Sequence, residues 1–320
     1  MEDFSFALVS SESCVIVCEL GPRIRFFDFE GENLNVLARS VRITRFLRPL
    51  RGGSQPMLVQ ASDGFLYVVK FNNNLQGPNL AFNEAIGTEL YRACQLPVPI
   101  WRPLLLTPAF LNQNPDCWIQ TETGRLRPTP GICFGSRFLG QSGTRLLEIL
   151  PGTFFVKVRN RMSFWQAWIV DVCARHADNR QAIFIEQSDG FEPVLMDHGH
   201  LFSGADGKRH PHPLASRYLD PRIYPRLLEQ EIRELKMMRP VNVDQLWQTA
   251  EAIPDEWKSM SALENFSHCL NKLSSPQNLA EVVDMIVELG AKNNSQPLRG
   301  TFYDAVPVPL AALAGTYPAA

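Results

Sequence analysis

The sequence has no CxxC pair. Its seven cysteines are scattered and odd in number. That argues against a zinc ribbon and fits a reducing, cytosolic compartment. No apolar run reaches about 18 residues, so no transmembrane helix is expected. The acidic start "MEDFSFALVS" lacks the charged-then-apolar layout of a signal peptide. Charge of either sign is scarce in excess: the net value is −2, so no basic field steers nucleic acid. No internal repeat is visible. These absences leave a soluble, cytoplasmic protein without membrane or nucleic-acid partners as the expectation.

What is present is enough chain for a large core. The 320 residues are 45% hydrophobic, sufficient for one large domain or two lobes. The first half reads as strands. "SCVIVCEL" and "PRIRFFDFEG" are β-branched and aromatic runs. Met57 to Gln60 and Phe65 to Phe71 form a hairpin around Ser62-Asp63-Gly64. After the polar loop "NNNLQGPN", Pro78 suits a first helical turn. "LAFNEAIGTELYRACQL" follows with helical spacing, and "PVPIWRP" ends it. "LLLTPAFL" and "GICFGSRFL" are further strand candidates. Beyond about Gly143, "SFWQAWIVDVCARH" is helical, and from Tyr224 onward helices dominate. Asn242 and Ser275 are candidate caps. The Ala- and Pro-rich end reads as a loose tail. The outline is a β-rich part over 1–140, a mainly helical part over 141–300 and a tail over 301–320. A β lobe followed by an α lobe invites a cleft between them.

Lys70 closes the alternating strand "FLYVVKF", in phase with Leu66 and Val68. A lysine there needs a partner or a route to water. Glu84, fourteen residues on and in the next helix, is the candidate partner. A strand lysine paired to a helix glutamate is how protein kinases fix the lysine that holds ATP phosphates. Upstream, Gly52-Gly53-Ser54 form a glycine turn whose backbone could approach phosphate oxygens. The turn matches neither G-x-G-x-x-G nor the Walker pattern.

The richest stretch is "RHADNRQAIFIEQSDGFEPVLMDHGHLF", 175–202. It reads as a hairpin turning at Ser188-Asp189-Gly190. In an antiparallel pair the start of one strand lies beside the end of its partner. Asp178 precedes the first strand and Asp197 ends the second, so both fall at one end. Asp189 goes to the other and is turn chemistry. Two like charges brought together call for a cation. In phosphoryl transfer one aspartate orients the nucleophile and another holds magnesium.

Several runs carry a family resemblance: "LRGGSQPML", "YVVKFNNNLQGPNLAFNEAIGTELYRACQLPVP", "PGICFGSRF", "HADNRQAIF" and "LMDHGHLF". Over roughly residues 40–225 the chain resembles the HipA-like kinases. The resemblance implies an α+β, bilobal protein-kinase-like fold with a β-rich N-terminal lobe and a mainly helical C-terminal lobe. It implies ATP and Mg²⁺, and phosphoryl transfer to a Ser/Thr or similar hydroxyl on an unidentified substrate. A regulatory partner protein fits the same picture. Lys70 would hold phosphates with Glu84 as its partner. Gly52, Gly53 and Ser54 would cover the phosphates, Ser54 being the nearest match to a regulatory serine. Asp178 would be the base and Asp197 the metal ligand. The sequence departs from the general kinase loop five residues after Asp178. A metal-binding Asn stands there in kinases, and here it is Ile183. Gln181 is the candidate replacement at the metal, and Arg180 a candidate for neutralising phosphate. His198 stands where the metal motif usually has Phe. The alternative these departures raise is a pseudokinase, a nucleotide-binding interaction module without phosphotransfer.

Overall fold

The computed structural model describes residues 41–140 and 144–294. The strands expected in "SCVIVCEL" and "PRIRFFDFEG", and the tail over 301–320, lie outside the described residues. Strand β1 (Val41–Pro49) is followed by β2 (Met57–Ala61), β3 (Leu66–Lys70) and helix α1 (Leu80–Ala93). Then come β4 (Trp101–Leu106), α2 (Pro108–Gln113), β5 (Ile119–Thr121), β6 (Gly124–Leu126) and β7 (Gly131–Arg137). After β8 (Leu146–Leu147), α3 (Met162–Cys173) leads to the hairpin β9 (Gln181–Gln187) and β10 (Gly190–Met196). Helices α4 (Glu229–Lys236), α5 (Val243–Ala252), α6 (Met260–Leu273) and α7 (Pro276–Asn294) follow. The fold is mixed α+β.

The strands close into a barrel in the order β1-β2-β3-β7-β4, with β4 returning to β1 in parallel. Alternation along β3 puts Tyr67 and Val69 into the barrel core. Lys70 therefore belongs to the outer face, with Leu66 and Val68, and there it meets α1. β7 does the same for the two cores: Cys133 joins the barrel interior, while Ile132 and Phe134 join the larger core built on α1, α3, α6 and α7. That larger core is centred on α3, whose Phe164, Trp165 and Trp168 are buried. Its tryptophans pack against each other and Tyr224 rather than forming an open stacking platform. Asn242 and Ser275 cap α5 and α7 as their spacing suggests, by accepting from Gln245 and Asn278 N–H groups.

Three elements differ from the sequence reading. β1 was not expected as a strand, because "VRITRFLRP" does not alternate. Its pairing with β2 shifts register between Ile43 and Arg45 and again between Phe46 and Arg48, and each irregularity breaks the period of two. "LLLTPAFL" is not one strand. β4 ends at Leu106, Thr107 caps α2 by accepting from Phe110 N at 3.1 Å, and Pro108 opens the helix. The loop expected before "GICFGSRFL" contains the small hairpin β5–β6. No helix among the described residues is long and apolar enough to cross a membrane.

Candidate active site

Lys70 is 8% exposed and Glu84 3%. The Lys70 ammonium donates to Glu84 Oε1 and, at 2.7 Å, to Asp197 Oδ1. Glu84 also accepts from the backbone N–H groups of His198, at 3.2 Å, and Gly199, at 2.9 Å. One glutamate on α1 thus fixes both the lysine and the turn after β10. Gly199 has to be glycine for this approach: a Cβ there would sit 2.3 Å from Leu80 Cδ1 and 2.9 Å from Glu84 Oε1. Gly87 works from the helix side, since a Cβ would fall 2.6 Å from His198 Cβ.

Two carboxylates share one ammonium here. Burial pulls the Lys70 ammonium down, but Asp197 and Glu84 outweigh it and push its pKa above the usual lysine value. At Glu84 burial prevails over Lys70 and pushes the carboxyl up. At Asp197 burial is outweighed by Lys70, which holds the carboxyl well below the usual range. Asp197 is therefore an ionised carboxylate whose side chain is 24% exposed.

The second acid arrives through the hairpin. Gln181 pairs with Met196 and Gln187 with Gly190, so residues 178 and 197 flank the open end while Asp189 occupies the turn. Asp189 pairs with Arg159. A short backbone ladder joins the two flanks: Ala177 N donates to His200 O at 2.8 Å, Phe202 N to Ala174 O at 2.8 Å and Ser203 N to Arg175 O at 3.1 Å. Asp178 is half-buried and accepts from Asn179 N at 2.7 Å. His200, buried beside it, has no hydrogen-bond partner for Nδ1.

The turn Gly52-Gly53-Ser54 connects β1 to β2. Met57 pairs with Val69, so this turn lies at the Lys70 end of the barrel. Gly52 and Gly53 are exposed, while Ser54 is 7% exposed and its carbonyl accepts from Asn74 Nδ2 at 2.6 Å. Gly53 faces Gln76, whose Nε2 would lie 2.9 Å from an added Cβ. Gln181 is exposed at the first position of β9. Ile183 lies within β9 opposite Val194 and offers no oxygen.

Arg180 requires a correction. Expected at the phosphates, it is 2% exposed and its guanidinium is spent inside the protein. It donates to Asp171 through Nε at 3.0 Å and Nη2 at 2.5 Å, and to the Met196 carbonyl at 2.8 Å. A guanidinium already committed to a buried carboxylate is not available to a phosphate. Asp171 and Tyr91 complete this network and are not among the candidates read from the sequence. The available signal was a lone acid in the apolar helix "SFWQAWIVDVC", a position that demands a partner. Arg137 lies 3.5 Å over the Phe65 ring. His210 and His212 are exposed.

Magnesium takes oxygen ligands, keeps several waters, and is held in nucleotide sites by one or two carboxylates plus substrate phosphates. The ionised, partly exposed Asp197 fits that donor set. No group of three or more His, Cys, Asp or Glu side chains among the described residues would hold a metal by itself.

No family model matches the chain, and no curated protein matches it. Among solved structures it is similar to a Helicobacter pylori proinflammatory kinase, CtkA, at 10% identity and TM-score 0.46, over 81% of this chain and 100% of that one. It is similar to hydra Fam20 with sugar at 13% identity and TM-score 0.46, over 81% and 88%. The Golgi casein kinase with Mn/ADP bound aligns at 11% identity and TM-score 0.44, over 78% and 72%. Likeness at this level transfers no residue role and no activity, so the site stands on its own geometry.

Proposed function

We propose that the chain is a HipA-like, bilobal, ATP- and Mg²⁺-dependent kinase that phosphorylates a Ser/Thr or similar hydroxyl. The observation that carries this is the buried Lys70 between Glu84 and Asp197, with Asp178 at the same end of the hairpin. The resemblance of "YVVKF…NEAIGTELYRACQLPVP" and "HADNRQAIF…LMDHG" to that family supports the same reading. The lobe boundary falls near residue 140.

Lys70 presents its ammonium to nucleotide phosphate oxygens, and Glu84 keeps it from swinging away. The backbone N–H groups of the Gly52-Gly53-Ser54 turn close over the phosphates. Asp197 holds the metal, with Gln181 as the further oxygen donor. Bound magnesium supplies charge neutralisation on the transferring phosphoryl group. Asp178 orients the acceptor hydroxyl and takes its proton as the hydroxyl oxygen bonds to the γ-phosphorus and the bond to the β–γ bridging oxygen breaks. ADP leaves with that oxygen.

Incubation with radiolabelled ATP and Mg²⁺, alone and with cell lysate, tests this. Wild type labels itself or a substrate, and Asp178→Ala lowers labelling by about 10²–10⁴-fold. Equal labelling by both proteins overturns the assignment of Asp178. A second reading, a nucleotide-binding interaction module without phosphotransfer, is favoured by one observation: Ile183 stands in a strand where kinases carry a metal-binding Asn. A nucleotide-induced thermal shift with no label transferred selects that reading. Saturation at 100 times Kd would add about 2.7 kcal/mol.

A further inference from the structure

Asp171 lies fully buried near the C-terminal end of α3, where a carboxylate is costly unless paired and hydrogen-bonded. Both oxygens are engaged. Arg180 takes them with Nε and Nη2, and the Tyr91 hydroxyl donates to Oδ1 at 2.6 Å. The Tyr91 ring also lies against the guanidinium, 4.8 Å from its carbon to the ring centroid, and against the His198 ring at 4.5 Å. From this anchor Arg180 Nη1 reaches the Met196 carbonyl at 2.8 Å and the Asp197 carbonyl at 3.3 Å.

Those carbonyls flank a strained residue. Asp197 has φ +62°, a left-handed conformation that costs a non-glycine residue about 1 kcal/mol or more and persists when its surroundings over-determine it. Glu84 holds the amides on the far side, at His198 and Gly199. The peptide units around Asp197 are thus gripped from two directions: by α1 directly, and by α1 and α3 together through Arg180.

We propose that Arg180, anchored by Asp171 and Tyr91, is a positioning residue that sets the backbone of Asp197 and so aims its carboxylate. The consequence for a bound metal rests on the kinase reading; the effect on the backbone does not. An arginine fork suits this task and an ammonium does not, because two carboxylate oxygens and two carbonyls must be met by one planar group.

Two variants test it. Tyr91→Phe keeps the ring under the guanidinium and removes only the hydroxyl. Arg180→Lys keeps the charge and removes the fork. Nucleotide affinity is measured with Mg²⁺ and with chelator, and hydrogen exchange is followed at the amides of His198 and Gly199. We expect the Mg²⁺-dependent affinity for ATP to fall about 10–100-fold in Arg180→Lys, as for lost outer-shell support at metal sites. The fall in Tyr91→Phe is smaller, the metal-free affinity stays within about twofold, and the two amides exchange faster in both variants. Unchanged exchange at these amides in a folded Tyr91→Phe overturns the proposal, as does an equal fall of affinity with and without metal. Should Arg180→Lys fail to fold, Tyr91→Phe decides. Should wild type bind no nucleotide at all, the kinase reading fails, and the exchange measurement still judges the positioning role.

Discussion

The two ends of the β9–β10 hairpin carry the same residue type in opposite circumstances. At the turn, Asp189 is 67% exposed and pairs with Arg159, itself 45% exposed. At the open end, Asp197 touches Lys70, and its carbonyl accepts from Arg180. Exposed pairs of the first kind contribute about 0–1 kcal/mol, because water screens them and side-chain entropy opposes them. At the open end the Lys70 ammonium, Glu84 and the Arg180 guanidinium are buried, where an unpaired charge is costly. An aspartate in this hairpin acquires chemistry from what packs against it, and its residue type alone says little.

The sharpest way to break the contrast is to remove a buried partner. Asp171→Ala leaves the Arg180 guanidinium buried and unpaired, and we expect a loss of about 3–5 kcal/mol in denaturant unfolding. Loss below about 1 kcal/mol would mean that water reaches Arg180 and that the two ends differ less than their burial indicates.

Acid tests the same end. Burial, together with the nearby Arg180, lowers the pKa of His176 and His198 well below 6.5, and burial lowers that of His200. The unfolded chain then binds more protons than the folded one once pH falls below 6.5. The histidines' contribution is fully present above that value and is lost on acidification, by up to about 1.4 kcal/mol per pH unit for each. Glu84, pushed up by burial, acts in the opposite sense. The variant His198→Phe isolates one histidine, because Glu84 is common to both proteins. Between pH 5 and 6.5 its stability should fall less steeply than that of wild type, by about 1.4 kcal/mol per unit at most. Parallel slopes would show that His198 titrates as freely as in the unfolded chain.

The smallest effect belongs to the turn. Asp189→Ala should change stability by less than about 1 kcal/mol, with the difference vanishing in high salt. A salt-insensitive loss larger than that would mark Arg159–Asp189 as structural.

Local pattern carried much of this protein. The Lys70 strand, the helix bearing Glu84 and the hairpin between Asp178 and Asp197 all lie where period and turn residues put them. β1 escaped because its register shifts erase alternation, and α2 because Thr107 and Pro108 cap a helix inside an apolar run. Arg180 escaped for a different reason. Nothing in "HADNRQAIF" distinguishes an arginine facing a phosphate from one facing a buried carboxylate.

By itself the sequence determined the hairpin and the common end of its two acids, since antiparallel pairing is a local rule that holds wherever the hairpin sits. The tertiary structure alone decided which charges meet. Lys70 finds Asp197 across 127 residues, Glu84 finds the His198 amide across 114, and Tyr91 finds Asp171 across 80. Those pairings exist because α1 packs between the barrel and α3, where low dielectric penalises every unpaired charge.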